Sequence, residues 1–169
     1  RSSQREFSAQ DLTLQEVSNL LWAACGVNRP ESGKRTAPSS MNMQEIDIYV
    51  VLARGLYLYD ATNNAMVLLI KGDMRELTGK QPFVKDAPVN LIYVADFSKM
   101  SQLSPEVKNF YAATDTGFIS ENVYLYCSSA GLATVVRGWF DRSALEKGMG
   151  LRKDQKVILT QTVGFPKKP

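Results

Sequence analysis

The 169-residue sequence contains no histidine. That absence removes imidazole acid–base catalysis, the usual serine and cysteine triads and most zinc sites in one step. Cysteine is scarce as well. Cys25 and Cys127 each sit among apolar residues near a predicted helix end, and neither has a CxxC partner, so neither a zinc site nor a disulfide framework is suggested. No apolar run approaches the ~20 residues of a membrane span, so no membrane partner is expected. The formal net charge is only +3, too small to argue for nucleic acid. The basic residues that do cluster lie at the two ends, Arg1 and Arg5 at one and Lys167 and Lys168 at the other, with no aromatics interleaved. Paired carboxylates are missing too: Asp96, Asp115 and Glu121 read as isolated. No metal site is expected, and no side chain stands out as a catalytic nucleophile or base. An enzyme without such groups relies on a cofactor, and the protein then supplies binding, orientation and electrostatics.

What is present is an ordinary globular balance, 44% hydrophobic and 22% charged, enough for one domain over residues 1–169 with a real core. Thr13-Leu14-Gln15-Glu16 has capping-box spacing. Leu14, Val17, Leu20, Leu21 and Ala24 then form one helical face, ended by Gly26. Residues 27–45 hold Asn28, Pro30, Gly33, Pro38, Ser39, Ser40 and Asn42 and read as a long loop, the kind of segment that tends to carry function. Ile46 to Ala53, Leu56 to Tyr59 and Met66 to Ile70 predict a three-stranded antiparallel meander. Gly72-Asp73 opens a short helix to Leu77, and Val89 to Ala95 is the most apolar strand and the expected sheet centre. Ser104-Pro105-Glu106 is a strong helix start, and the helix runs on to Ala130. Asp141 caps a short helix through Leu145, and Lys156 to Val163 is the last strand. Helices mixed with antiparallel hairpins predict an α+β fold.

The chain is organised around Asp115 to Gly138. Phe118, Ile119, Val123, Tyr126 and Ala130 recur at helical spacing. Gly131 is a natural helix terminus, and Leu132 to Val136 returns as a strand. Two other stretches are suited to holding a cofactor. Arg1-Ser2-Ser3-Gln4-Arg5 offers guanidinium forks and hydroxyls for phosphate oxygens. Residues 35–44 offer hydroxyls, amides and a rigid proline able to line the polar edge of a planar heterocycle. Each has a bland alternative: a solvated terminus, turn chemistry, or a buried helix followed by a strand.

Taken in order, these segments resemble the nitroreductase family of flavin enzymes. RSSQREF is similar to the family's RRSxRxF, APSSMNMQ to its PSSxNxQ loop, GFISENVYLYCSSAGLATVVRG to GxxxQNLxLxAxxxGLGTxxxG, and VGFPKK to its closing GYP signature. GKRTAPSS, GLYLYD, GDMREL and DAPVNLIYVADF further resemble the branch that includes azoline peptide oxidases. The resemblance implies a mixed, mainly antiparallel sheet flanked by helices. It also implies a homodimer with the long helix between subunits and FMN at the interface. The small residues Ala112, Ala113, Gly117 and Ser120 would let a partner helix approach. Arg1 and Ser3 would bind the FMN phosphate with Ser2 beside them, and Lys167 or Lys168 could complete that site. Arg5 would lie at the pyrimidine edge, with Gln81 a weaker candidate for the flavin edge. Pro38, Ser39, Ser40 and Asn42 would contact the ring from the partner. Val135, Val136, Arg137 and Gly138 would pass along the other edge, the Arg137 amide aimed at N5.

The implied activity is ping-pong hydride transfer through flavin N5, from NADH or NADPH to a nitroaromatic, quinone or similar small acceptor. The alternatives are a flavin oxidase or dehydrogenase acting on a small molecule or modified peptide, and a non-catalytic flavin-binding protein. The family default for compartment is cytoplasmic, with a cleaved export leader ahead of Arg1 as the alternative. The sequence opens at Arg1 without an initiator methionine, inside what reads as a motif, so residues before Arg1 are expected. Three departures from the family pattern stand out. Ser2 replaces the usual second arginine, QPW becomes Gln44-Glu45-Ile46, and GLGT becomes Gly131-Leu132-Ala133-Thr134.

Overall fold

The computed structural model describes residues 1–167, so Lys168 lies outside the described residues. Helix α1, Leu14–Cys25, starts on the predicted capping box: the Glu16 amide donates to Thr13 Oγ1 at 3.2 Å, and the Thr13 amide donates to Glu16 Oε2 at 2.7 Å. Its Val17, Leu20, Leu21 and Ala24 are buried. The expected long loop after it contains a small antiparallel hairpin, β1 Val27–Arg29 and β2 Lys34–Arg35, and then a 3-10 turn, Ser40–Asn42. The hairpin escaped the sequence reading because its strands bury almost nothing and so carry no apolar alternation.

The meander follows as β3 Ile46–Leu52, β4 Gly55–Asp60 and β5 Ala65–Lys71. The predicted short helix is only a 3-10 turn, Arg75–Thr78, because Asp73 is taken up by an ion pair with Arg75 at 2.7 Å rather than starting an α-helix. Strand β6, Val89–Asp96, is buried at all eight positions, Asn90 and Asp96 included, which is why Leu91 to Ala95 reads as an unbroken apolar run. Helix α2, Pro105–Ser129, is capped by Ser104. Strand β7, Ala133–Arg137, helix α3, Arg142–Met149, and strand β8, Gln155–Gly164, complete the chain. Helix α3 runs one turn beyond the predicted Leu145.

Six strands form one sheet in the order β5-β4-β3-β6-β8-β7. Every pairing in it is antiparallel, so the expected, mainly antiparallel sheet is antiparallel throughout within this chain. Alternate residues of the strands face opposite sides. Ile48, Val50, Leu91 and Tyr93 join a core with α1 and α2, while Tyr49, Val51, Ile92 and Val94 join a second core with Leu145 and Met149 of α3. The fold is α+β, as predicted. No helix among the described residues is long and apolar enough to cross a membrane.

The buried face of α2 differs from the predicted one. It is Ala112, Asp115, Thr116, Ile119, Ser120, Val123, Tyr124 and Cys127, while Phe118 is 46% exposed and Ala130 is exposed. Three polar groups sit on the inward face, so apolar periodicity misplaces it. The small-residue set divides accordingly: Ala112 and Ser120 face this chain's own core, and Ala113 and Gly117 face outward beside exposed Val107, Phe110 and Leu125.

Candidate functional site

Strand β7 is a sheet edge, and its free side is where the predicted segments meet. Gly131, at φ +69°, adopts the left-handed turn that sends the chain from α2 into this strand. The N-terminal segment lies along it: the Gln4 amide donates to the Thr134 carbonyl at 3.0 Å. Tyr124 of α2 ties the two together. Its hydroxyl is 2.7 Å from Ser3 Oγ and accepts the Val136 amide at 3.0 Å. The Arg1 guanidinium stacks on the Tyr124 ring at 4.4 Å and reaches Glu121 at 3.5 Å, both ion-pair side chains being half exposed. Beside this cluster Ser2, Gln4, Tyr124, Gly131 and Thr134 line a groove of about 270 Å³. Arg1, Ser2, Ser3, Val135 and Val136 are thus brought together. Tyr124, which holds them, was missed because it reads as one more residue of a helix.

The edge geometry moves one expectation. The Val136 amide points away from β8, and successive amides of a strand point to opposite sides. The Arg137 amide therefore faces β8, and Gly138 follows just past the end of the strand. The Arg137 side chain is 4% exposed. Its Nη1 donates to the Thr78 carbonyl at 2.7 Å and its Nη2 to Asn90 Oδ1 at 2.9 Å. No carboxylate pairs with it among the described residues, and burial pulls its pKa down to about 10. Gly79 lies directly over this guanidinium, with Gln81 Oε1 close by, buried and unpaired. Gln81 is therefore grouped with the Arg137 head.

Arg5 and Lys167 line a different groove, of about 210 Å³, with Phe7, Phe83 and Asp86. The Lys167 amide donates to the Glu6 carbonyl at 3.2 Å. Lys167 is thus placed next to Arg5, with Arg1 and Ser3 further along the segment.

The loop Pro38, Ser39, Ser40 and Asn42 is fixed to the other half of α2. The Ser40 amide donates to Asp115 Oδ2 at 2.8 Å. Asp115 and Tyr124 are nine positions apart, roughly 14 Å along a helix, and no hydrogen bond links the two clusters among the described residues. The three carboxylates read as isolated all have partners: Asp96 pairs with Arg152 at 2.8 Å, Glu121 pairs with Arg1, and Asp115 accepts the Ser40 amide while sharing a small buried cavity with Glu45. Glu45 was overlooked because it is far from Asp115 in sequence. No group of three or more metal-binding side chains occurs among the described residues.

The family model described as "Nitroreductase family" matches residues 1–165. The chain belongs to the nitroreductase family. A protein of Methanocaldococcus jannaschii that carries a provisional nitroreductase name is 33% identical over 150 residues, 83% of this chain and 75% of that one. A crystal structure from Ralstonia eutropha JMP134, also provisionally named a nitroreductase, is 45% identical with a TM-score of 0.95, covering 100% of this chain and 80% of that one. The Vibrio harveyi NADPH:FMN oxidoreductase, solved in complex with NAD+, shares the fold at 20% identity. Its TM-score is 0.72 over 99% of this chain and 66% of that one. Family membership makes the chain an oxidoreductase of the nitroreductase type.

Proposed function

We propose that the chain is one subunit of a homodimeric FMN-dependent oxidoreductase that takes a hydride from NADH or NADPH and delivers it to a nitroaromatic, quinone or similar small acceptor. The carrying observation is the convergence of Arg1, Ser3 and the Val136 amide on Tyr124 at the free edge of β7. The donor set fits a phosphate: a half-exposed guanidinium and hydroxyls, held beside a sheet edge with no strand beyond it. FMN, when bound, supplies a ring atom, N5, that accepts and returns the hydride.

The residues of the chain do the rest. Arg1 and Ser3 hold the phosphate, with Ser2 adjacent. Arg1 gives up only an exposed pairing with Glu121, which is worth little. Arg5 sets a positive charge at the pyrimidine edge, where it favours the electron-rich form of the ring, and Lys167 adds to the field beside it. Gly138, just past the end of the edge strand, would offer its amide to N5, and Gln81 would approach the ring edge from the neighbouring loop. The separation of the Ser39–Asn42 loop from the N-terminal cluster within one chain favours its serving the partner's site. The outward face of α2, carrying Phe110, Ala113 and Gly117, is the surface the subunits would share.

The test is an absorption spectrum of protein purified without added cofactor, followed by FMN titration. One FMN per chain, with a dimer by light scattering, is expected. A colourless protein that takes up no FMN would overturn the reading.

A further inference from the structure

Glu45 is fully buried at the head of β3, and Asp115 is 3% exposed on α2. Both line one small buried cavity, together with Ser39 and Arg35. Each also holds one residue of the loop between them in sequence. Ser39 Oγ donates to Glu45 Oε2 at 3.0 Å and accepts the Gln44 amide at 2.8 Å, while the Ser40 amide donates to Asp115 Oδ2. Glu45 Oε1 is buried with no hydrogen-bond partner among the described residues. The loop they grip is strained: Met41, Asn42 and Gln44 take φ of 50°, 54° and 49°, a region that non-glycine residues occupy only when their surroundings impose it.

Two ionised carboxylates cannot sit side by side out of water, whereas one proton between them turns repulsion into a hydrogen bond. We propose that Glu45 and Asp115 are positioning residues that share one proton and thereby hold Ser39–Asn42 in the shape that meets the flavin. This rests on the reading that the loop contacts FMN. It also gives a role to the departure at Gln44-Glu45-Ile46.

Charged and titratable groups surround the pair, and the Arg35 guanidinium lines the same cavity. From α1 comes the Cys25 thiol, and from β2 comes Arg35, whose Nη1 lies 3.6 Å from Cys25 Sγ. Asp47 lies on β3, and Lys99 pairs with it at 2.9 Å while reaching the Gln44 carbonyl at 3.2 Å. No cation forms an ion pair with Glu45 or Asp115 among the described residues. Burial, and then Asp115, push the Glu45 carboxyl above its ordinary 4.5. The sign follows. The shared proton is fully held at and below the ordinary value and is lost as pH rises through the raised one.

The experiment follows the Glu45 side-chain carbon and the Ser40 and Gln44 amides by NMR from about pH 4.5 to about pH 9, with FMN dissociation constants over the same range. One titration above the ordinary carboxylate range, reported together by all three groups, is expected. The FMN dissociation constant should rise by up to about tenfold per pH unit beyond it, as one linked proton requires. In Glu45→Gln the amide donates the hydrogen bond at every pH, so both the step and the slope should vanish. Asp115→Asn carries the same test if Glu45→Gln fails to fold. Carboxyls that titrate separately in the ordinary range with the Ser40 amide unmoved would overturn the proposal. So would an unchanged slope in Glu45→Gln, or tight FMN binding with no pH dependence. Failure to bind FMN at any pH would instead strike the flavin reading, leaving the amide titration to decide the shared proton.

Discussion

Alanine at Gly79 should destabilise this protein, although the backbone there tolerates any residue. The φ of Gly79 is 179°, plain extended chain. On the backbone term alone, glycine to alanine stabilises by about 0.4–1 kcal/mol, because the unfolded chain loses freedom. The opposing term is steric. A Cβ would fall on Arg137 Nη1, well inside van der Waals contact, and 2.8 Å from Gln81 Oε1. The guanidinium cannot withdraw without losing the Thr78 and Asn90 acceptors at 2.7 and 2.9 Å. Hydrogen bonds to a charged group contribute roughly 1.5–3 kcal/mol each, and stranding a buried charge costs about 3–5 kcal/mol. With partial relaxation of the loop, a net loss of about 3 kcal/mol is expected, or roughly 6–12 °C in Tm for a chain of this size. The assay is urea and thermal unfolding at fixed protein and cofactor concentration. Adding Arg137→Met to Gly79→Ala should recover part of the loss, a non-additivity that locates the clash. A Tm that is unchanged or raised in Gly79→Ala would refute the reasoning.

Three further perturbations probe other parts of the structure. Tyr124→Phe deletes the hydroxyl between Ser3 Oγ and the Val136 amide. It should weaken FMN binding roughly five- to tenfold, by about 1 kcal/mol, which fluorescence titration would measure. Arg5→Ala should both weaken FMN and make the bound flavin harder to reduce; an unchanged midpoint potential with FMN fully bound would remove Arg5 from the pyrimidine edge. Burial pushes the Cys127 thiol up to about 12 and the Cys25 thiol upward as well. Both therefore remain protonated and should be unreactive to a thiol reagent at about pH 8 in the native protein, yet react in denaturant; rapid native labelling of Cys127 would contradict its burial.

The sequence was most legible where one local signal decides the structure. The Thr13–Glu16 capping box, the Ser104-Pro105 helix start, the apolar run of β6 and the left-handed Gly131 are of this kind. The hairpin at 27–35 was invisible because exposed strands bury no alternating face. The inward side of α2 was misread because Asp115, Thr116 and Ser120 are polar yet buried, and their burial depends on partners distant in sequence. The same reason hid the Glu45–Asp115 contact and the Tyr124 hub: each joins residues separated by tens of positions. The order of motifs, in contrast, needed no contacts at all, and it carried the family. The Arg137 amide was misdirected because strand register decides which of two successive amides faces outward, and register is set by β8.

Anaerobic titration of the FMN-loaded protein with NADH and with NADPH, followed by absorbance, tests the account most directly. One of the two is expected to bleach the flavin band at close to one equivalent per FMN, and a quinone or nitroaromatic then to restore it. A flavin band that stays unchanged with both donors would contradict it.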